Sequence, residues 1–402
     1  MSEPSSKPAF PRKHAAGCPF DPAEDYQGFR ENDPVARVSC PAGVDAWLVT
    51  RYDDVRTVLG SSALSSSVPP IAHADPQAVF DDPVLPGSIL QLDGAEHVRL
   101  RRLLTAEFSV KRIQALRPHI QQVIDSHVDA MLESGGPVDL VRALALPIPS
   151  LVICELLGVP YAQRDRFEKQ SAIMSSVDVD PVIAKQADVE IMGYVRDLVH
   201  EKMRDPGDDL TSRLIRRSEE SPRPLTVDEL VMLVLSLLVA GHETTTNMIA
   251  LGTTVLLRHP DQVEALRTEP GLLPSAVEEL LRYLTIVHFG LFRSVTQDIP
   301  LGAETLRAGD WLIAALASGN RDASVFSDAD RLDVRRRPAA HLGFGYGAHQ
   351  CLGQQLARVE LQQVFGTLFT RVPTLRLAVP VEELDFKDDS VVYGLHSLPV
   401  TW

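Results

Sequence analysis

The feature that most constrains this chain is a glycine-spaced segment that delivers one cysteine to the start of a helix. Residues 343–353 read GFGYGAHQCLG, and apolar residues at helical spacing follow at Leu352, Leu356 and Val359. A helix that begins behind Cys351 places its unpaired N–H groups and positive dipole end near the sulfur, which favours a thiolate. The glycines allow positive φ angles and a close approach of the backbone. The segment therefore predicts a shielded, anionic sulfur ligand for a metal that also needs space beside it.

Three other interpretations of this cysteine are weaker. An isolated cysteine is most often a small buried apolar residue, but that interpretation leaves the glycine spacing unexplained. A zinc site needs several ligands at short spacing, whereas the other three cysteines are distant in sequence and only His349 is near. A dinucleotide-binding loop needs the spacing G-x-G-x-x-G. This segment instead has G-x-G-x-G, and it places the cysteine where a phosphate would bind.

The pattern F-G-x-G-x-H-x-C-L-G at residues 344–353 resembles the haem-binding loop of the cytochrome P450 family. The resemblance implies that Cys351 is the axial ligand of the iron of haem b (iron protoporphyrin IX). It also implies that Phe344, His349 and Gly353 contact the cofactor. Further motifs of the family occur in the family's order, so the resemblance extends over essentially the whole chain.

The resemblance implies a mainly α fold with small β-sheets, in which haem lies between a long central helix and the helix behind the cysteine. At 402 residues the chain is long enough for two or three domains, but no linker divides it. We therefore expect a single domain over residues 1–402, with an extended segment at residues 1–20. A hydrophobic fraction of 45% and a charged fraction of 23% are ordinary for a globular protein.

A basic helix is predicted from Glu96 to Leu104, and it places His97 and Arg101 on one face because they are four residues apart. From periodicity alone this face is a solvated basic surface. The resemblance assigns it differently, since the family's H-x-x-x-R pair binds a haem propionate, a role that suits the guanidinium fork. Arg293 matches a further propionate-binding arginine, and His349 matches another propionate ligand.

The longest apolar helix is predicted over 230–254, and it carries the polar sequence AGHETT at 240–245. A threonine in mid-helix can bond back to the carbonyl four residues earlier, which pairs Thr244 with Ala240. Read alone, this is a solvated patch on one helical turn. The resemblance to the family's oxygen-binding groove implies that Ala240 and Gly241 make room beside the haem. It further implies that Glu243 relays protons and that Thr244 donates a hydrogen bond to bound oxygen.

Glu279 and Arg282 form an i,i+3 pair on a predicted helix over 276–284. By periodicity this is a surface ion pair worth a few tenths of a kcal/mol. The resemblance to the family's E-x-x-R motif implies instead a buried structural network that holds the haem loop. Arg331 stands where the family's third member of the network is expected.

The substrate side of the chain is less specific. The resemblance favours a sizeable apolar molecule such as a macrolide, another polyketide, a terpenoid or a foreign compound. His288 could add one polar contact to the substrate, but it is better interpreted as a histidine of the protein core. The loop over 60–87 is interpreted as a substrate lid or a disordered segment, and the turn over 176–180 as a hinge between two roof helices. The expected lining residues are Ile89, Leu90, Leu237, Ala240, Ile286, Val287, Phe289, Val391 and Val392.

The chain shows no flavin or iron–sulfur region, so the resemblance implies electrons from a ferredoxin and an NAD(P)H-fed ferredoxin reductase. The formal net charge of −15 argues against nucleic acid and anionic membranes as partners. Basic residues nevertheless cluster at residues 99–112 and again just before the cysteine loop. They are either scattered surface charge or, if the fold brings them together, a docking face for an acidic ferredoxin. They are Arg99, Arg101, Arg102, Lys111, Arg112, Arg335, Arg336 and Arg337.

No signal peptide or membrane anchor is predicted, and four scattered cysteines suit a reducing compartment, so we expect a cytoplasmic monomer. The favoured function is a haem-thiolate monooxygenase that hydroxylates or epoxidises its substrate with O₂. One alternative is a haem-based gas or redox sensor, which has no need of Glu243 and Thr244. A second alternative is a cysteine hydrolase that uses Cys351 and no haem.

Overall fold

The structure is a computed structural model that describes residues 7–10, 14–15, 17–40, 43–68, 84–337 and 340–402. Helices dominate the described residues, and small sheets lie at the edges. The α-helices are α1 Asp25–Asn32, α2 Tyr52–Gly60, α3 Gly94–Thr105, α4 Val110–Ser134, α5 Pro147–Leu157, α6 Arg164–Ser175, α7 Pro181–Arg204, α8 Leu210–Glu219, α9 Val227–Leu257, α10 Pro260–Thr268, α11 Leu273–Leu284, α12 Leu316–Gly319 and α13 Gln354–Arg371.

Ten strands occur in the described residues, and they form three sheets. The strands are β1 Val35–Ser39, β2 Asp45–Val49, β3 Leu64–Ser65, β4 Val138–Asp139, β5 Leu291–Val295, β6 Ile299–Leu301, β7 Glu304–Leu306, β8 Trp311–Ala314, β9 Arg376–Leu377 and β10 Pro399–Thr401. The sheet orders are β1-β2-β8-β5-β3, β4-β10-β9 and β6-β7. The prediction of a mainly α fold with small sheets is confirmed.

Helix α9 is the centre of the fold and extends three residues beyond each end of the predicted helix. It begins with a capping box, in which Thr226 and Glu229 bond to each other's backbone N–H groups. Most of its side chains are buried in the main core, and it packs against α5, α7 and α13. None of the described helices combines the length and apolarity needed to cross a bilayer.

The alternation of side chains along β5 separates two cores in the five-stranded sheet. Leu291 and Val295 pack into the cluster that contains α2 and the ends of β2 and β8, so Arg293 points to that same face. Phe292 points to the opposite face, where it packs against Phe10 with ring centroids 6.0 Å apart. Arg293 and its neighbour Phe292 therefore lie on opposite faces of the sheet, and they cannot both contact the same ligand-binding site.

The predicted pair of roof helices is present as α6 and α7, which pack against each other. The turn between them is bonded to the C-terminal segment: Val177 N–H donates to the carbonyl of Asp389 at 2.6 Å, and Ser176 forms an isolated bridge with Ser390. Within the predicted 60–87 loop, β3 pairs with β5. The remainder of that prediction falls largely on 69–83, outside the described residues.

Candidate functional site

Two glycines with positive φ bend the segment before Cys351. Gly345 has φ +69° and Gly347 has φ +78°, and a Cβ at Gly347 would overlap the backbone of α2. The turn closes through a hydrogen bond from the Cys351 N–H to the Phe344 carbonyl at 2.9 Å. Helix α13 then begins at Gln354, so the cysteine lies at its N-terminal end, where the spacing predicted it.

Burial and backbone donors act in opposite directions on the Cys351 sulfur. Burial raises the pKa of the thiol, whereas the N–H groups of Gly353 and Gln354 and two nearby arginines act to lower it. The N-terminal donors favour a thiolate as predicted, but they do not outweigh burial. A coordinating metal ion deprotonates a thiol outright, so this buried sulfur fits a metal-bound thiolate.

The four predicted basic side chains converge beside this loop. The ring centroids of His97 and His349 lie 4.1 Å apart. Burial lowers the pKa of His349, and the charges of Arg293 and Arg101 lower it further, so both guanidinium groups lie close to it. Asp93, which occupies the N-cap position of α3, faces this cluster and bonds to His349 Nε2 at 3.2 Å.

This basic cluster fits the two propionates of a haem. His97 is 3% exposed, and its Nε2 has no hydrogen-bond partner among the described residues. Burial, together with the neighbouring His349 and Arg101, lowers the pKa of His97 to about 4. Arg293 is also buried. Buried polar and charged groups are costly unless they are paired, and two carboxylates would supply the missing partners.

The face of α9 that carries Thr244 is open, although most of that helix is buried. Ala240 is exposed and Thr244 is half-buried, and Thr244 Oγ1 donates to the Ala240 carbonyl at 2.8 Å, as predicted. The space that a Cβ at Gly241 would occupy is taken up by packing against α5, and the contact of Gly241 with a cofactor stays a prediction. A Cβ at Gly241 would lie 2.6 Å from Cγ1 of Ile153, so this glycine allows α9 to pack against α5.

Glu243 lies beside Thr244 in an ion pair that the sequence did not predict. Its Oε1 accepts a hydrogen bond from Lys387 Nζ at 2.7 Å and another from Asn247 Nδ2 at 3.3 Å. Burial alone would raise the pKa of Glu243, but the charge and hydrogen bond of Lys387 hold it below its usual value. The carboxyl group is therefore ionised at neutral pH.

The predicted E-x-x-R network is present and buried, but its third member is Arg336. Arg282 donates from Nε and Nη2 to the Glu279 carboxylate, each at 2.8 Å, and from Nη1 to the carbonyls of Asn320 and Ala329. Arg336 Nε donates to Glu279 at 3.0 Å.

The predicted side-chain role of Arg331 in this network is wrong, although its backbone carbonyl accepts from Arg336 Nη2 at 3.1 Å and from Arg282 Nη2 at 3.4 Å. The Arg331 side chain is 69% exposed and pairs with Asp333 at 3.4 Å. The sequence spacing predicted the wrong arginine because it does not show the path of the turn after Arg331. In that turn the Asp333 N–H donates to the Glu279 carboxylate at 3.0 Å. The third arginine of the network is therefore Arg336, which follows the turn.

The residues predicted to contact substrate lie in different parts of the structure. Ile89 and Ile286 are buried in the main core, Leu237 packs against that core on α9, and Val391 and Val392 are half-buried in the turn that meets the roof. Val287 packs instead against the cluster beneath the five-stranded sheet. These positions remain a proposal as a substrate surface.

Two further predicted substrate contacts lie outside the main core, and their contact with a substrate stays a prediction. Leu90 is 66% exposed. Phe289 packs with Phe10 and Phe292 on the face of the sheet opposite Arg293. His288 is a core histidine: it is 7% exposed, bonds to the Ser390 carbonyl at 2.7 Å and stacks on Phe289.

The comparisons with known proteins agree with this geometry. A family model described as Cytochrome P450 matches residues 42–372. The chain belongs to the cytochrome P450 family. It is a P450 monooxygenase, and its relatives include proteins named as a vitamin D3 dihydroxylase and a mycinamicin IV hydroxylase/epoxidase. The cofactor that the family implies is haem iron, and the cysteine loop and basic cluster described above suit it.

Individual relatives of this P450 match it over nearly its whole length. Cytochrome P450-SU2 of Streptomyces griseolus is 46% identical over 397 residues, which are 98% of this chain and 96% of the relative. Pentalenic acid synthase of Streptomyces avermitilis is 45% identical over 414 residues, with 100% of both chains covered. The crystal structure of CYP105P1 in complex with filipin I has a TM-score of 0.94, 45% identity and 99% coverage of each chain.

Sequence reasoning missed several residues that hold the site of this P450 together. Asp93 was detectable, because an aspartate directly before a helix start is a typical N-cap. Glu278 bonds to Arg358 of α13 at 2.6 Å and to His341 at 3.1 Å, and it ties α11 to the cysteine loop. Lys387 had no local signal, since it reaches Glu243 from the far end of the chain.

Proposed function

We propose that this P450 inserts one oxygen atom of O₂ into a sizeable apolar organic molecule, with haem b held by Cys351. The observation that carries the proposal is the open face of α9, where Thr244 and Ala240 remain accessible on a helix that is otherwise buried. A bound haem supplies the chemistry of oxygen activation, with a thiolate that favours O–O cleavage. The residues of this chain supply binding, orientation and protons.

The roles of the surrounding residues follow from their positions. His97, Arg101, Arg293 and His349 would bind the propionates, and Phe344 and Gly353 would contact the ring from the cysteine loop. Thr244 Oγ1 would release its bond to the Ala240 carbonyl and donate toward the oxygen substrate. The ionised Glu243 would collect a proton from water and pass it to the Thr244 hydroxyl, which keeps the pocket supplied with protons while apolar walls limit bulk water.

The substrate class is inferred from the apolar wall and from relatives. Ile89, Leu237, Ile286, Val391 and Val392 present few polar atoms, which favours a large apolar ligand. One relative is named a pentalenic acid synthase, and another was crystallised with filipin I. We infer a macrolide, another polyketide, a terpenoid or a foreign compound, and a binding screen that records haem spectral shifts would identify it.

Electrons would come from a ferredoxin and its NAD(P)H-fed reductase. Fewer basic residues are available for docking than the sequence predicted, because several of the eight form ion pairs or hydrogen bonds within the protein. Arg99 pairs with Glu229, Arg101 bonds to the cysteine loop, Arg112 pairs with Glu107, and Arg335 and Arg336 pair with Glu269 and Glu279.

The remaining members of the predicted docking face are free to meet a partner. Arg102, Lys111 and Arg337 are exposed and make no ion pair within the part of the chain that the structure describes. We infer a ferredoxin contact at these three. We further infer a monomeric, single-domain, cytoplasmic protein, and light scattering of the purified holoprotein would show one copy per particle.

The test of the function begins with the sulfur ligand. A reduced, CO-bound spectrum of the wild type should show the Soret band of a thiolate-ligated haem, and Cys351→Ala should abolish that band. Cys154→Ala is a matched control, because Cys154 is a buried core cysteine. A wild-type spectrum without the thiolate band, or an unchanged spectrum in Cys351→Ala, would contradict the proposal. Substrate-dependent NAD(P)H consumption then separates turnover from mere haem binding.

A further inference from the structure

Both bonds that restrain the Glu243 carboxylate end on one oxygen. Lys387 Nζ and Asn247 Nδ2 both donate to Oε1, at 2.7 Å and 3.3 Å. The Glu243 and Lys387 side chains are 9% and 16% exposed, so the pair is largely shielded from water. Among the described residues, Oε2 has no hydrogen-bond partner. The lysine therefore holds one side of the carboxylate and leaves the other available.

Lys387 belongs to a closed loop of the C-terminal segment, residues 386–395. Its N–H donates to the Gly394 carbonyl at 2.9 Å, and Phe386 and Leu395 form an antiparallel bridge. The loop lies directly against α9, since a Cβ at Gly394 would overlap the Asn247 side chain. The position of the lysine is thus fixed by backbone contacts and not by the flexible side chain alone.

The other side of the same loop carries the turn proposed to contact substrate. Val391 N–H donates to the Ser175 carbonyl at 2.9 Å, at the end of roof helix α6. Asn247 Nδ2 also reaches the Val392 carbonyl at 3.5 Å. The roof, the substrate turn, Lys387 and Glu243 are therefore joined by a continuous series of hydrogen bonds.

We propose that Lys387 is a positioning residue that orients the Glu243 carboxylate from the substrate-contacting loop, so that Oε2 is the oxygen that exchanges protons. The proposal rests on the proposed role of Glu243 in proton delivery. Oε2 takes a proton from hydronium on the solvent side and passes it to the Thr244 hydroxyl oxygen as that hydroxyl gives its own proton to the oxygen substrate, so that Glu243 and Thr244 return to their starting protonation states. Among the described residues, His242 on the same helix is a further titratable group whose charge acts on the carboxylate.

Lys387→Met in the holoenzyme tests the positioning. Without the ammonium group, burial favours the protonated carboxyl group, so the titration midpoint of Glu243 should move to higher pH. Infrared difference spectra should then show a protonated carboxyl band near neutral pH that is absent from the wild type. The band should disappear in the double variant Lys387→Met/Glu243→Gln, which assigns it to Glu243.

Turnover provides the second reading. With a compound from the binding screen, product formed per electron should fall roughly tenfold in Lys387→Met, because a misplaced proton donor slows a positioned step. The spectral dissociation constant of that compound should stay unchanged. Lys387→Arg should restore the yield and the infrared spectrum. Lys202→Met is a matched control, since Lys202 pairs with Asp209 at 3.0 Å with similar exposure, 14% and 8%, and should change neither reading.

The outcomes separate this inference from the function on which it rests. If the Glu243 carboxyl group stays ionised in Lys387→Met, the positioning role is overturned. Glu243→Gln alone tests the function: an unchanged product yield per electron in that variant rejects Glu243 as the proton donor, whatever the infrared spectra show. A yield that falls equally in Lys202→Met would show that loss of any buried ion pair suffices, and would also overturn the positioning role.

Discussion

The Thr244 hydroxyl bonds within its own helix and is also the group that we propose as the proton donor to the oxygen substrate. In the structure the hydroxyl is occupied by the Ala240 carbonyl, a bond that satisfies it within the helix and that can be exchanged for a better acceptor. Residue types and spacing were enough to predict this bond, since both partners lie on one helix. The close packing of Gly241 on the same helix against Ile153 of α5 could not be predicted, because the sequence does not show which helix packs there.

We expect Thr244→Ala to bind haem normally and to divert electrons to hydrogen peroxide. Loss of the hydroxyl removes a positioned proton donor, so product per electron should fall by roughly tenfold or more, measured as product and peroxide against NAD(P)H consumed. Thr244→Ser should retain most of the yield. Thr254→Ala is the control, because Thr254 makes the same bond to the Ala250 carbonyl near the end of α9. An unchanged yield in Thr244→Ala would refute the assignment.

At the scale of elements, the cysteine loop is held by networks that join α11, α13 and the segment 327–336. Glu279 is 2% exposed and accepts bonds from Arg282 and Arg336. Such an arrangement tolerates loss of a partner poorly, because a buried charge is left unpaired. The E-x-x-R spacing gave two members of the network correctly. The third depends on the path of an irregular turn, for which periodicity carries no information.

Arg336→Ala and Arg331→Ala form a matched pair that tests this assignment. Removal of Arg336 leaves Glu279 short of a buried partner and should cost about 3 kcal/mol of unfolding free energy. Arg331 is exposed, so its removal should cost less than about 0.5 kcal/mol. Urea unfolding of the two holoproteins, followed by the haem Soret band and by circular dichroism, measures the difference. If the two variants lose equal unfolding free energy, or if Arg331→Ala loses more, Arg331 would again be the better candidate for the third member of the network.

At the scale of the whole molecule, an acidic chain carries a few exposed basic residues that we propose as the contact for a ferredoxin. Arg102 lies in the last turn of α3 and Lys111 in the first turn of α4, on either side of the short connection between them. Composition predicted the contrast between an acidic chain and a basic cluster. It could not separate the basic residues that are paired within the fold from those that are not, because that distinction depends on tertiary ion pairs with residues such as Glu107 and Glu229.

We expect Arg102→Ala/Lys111→Ala to slow reduction by ferredoxin roughly tenfold at low ionic strength. The difference from wild type should shrink as salt screens the surface charges. Stopped-flow reduction in the presence of CO measures the rate. Lys185→Ala, an exposed lysine on α7, is the control and should reduce at the wild-type rate. Identical rates in the double variant and the wild type would exclude this surface as the docking site.

The five-stranded sheet also has a consequence for biosynthesis. Strand β2 pairs in parallel with β8, and Trp47 Nε1 donates to Asp310, 263 residues later, at 2.8 Å. About three-quarters of the chain must therefore be synthesised before β8 is available to pair with β2. Until then, the unpaired edge of β2 can form incorrect hydrogen bonds with other strands or chains. Slower translation and cooler cultures should accordingly raise the yield of correctly assembled holoprotein.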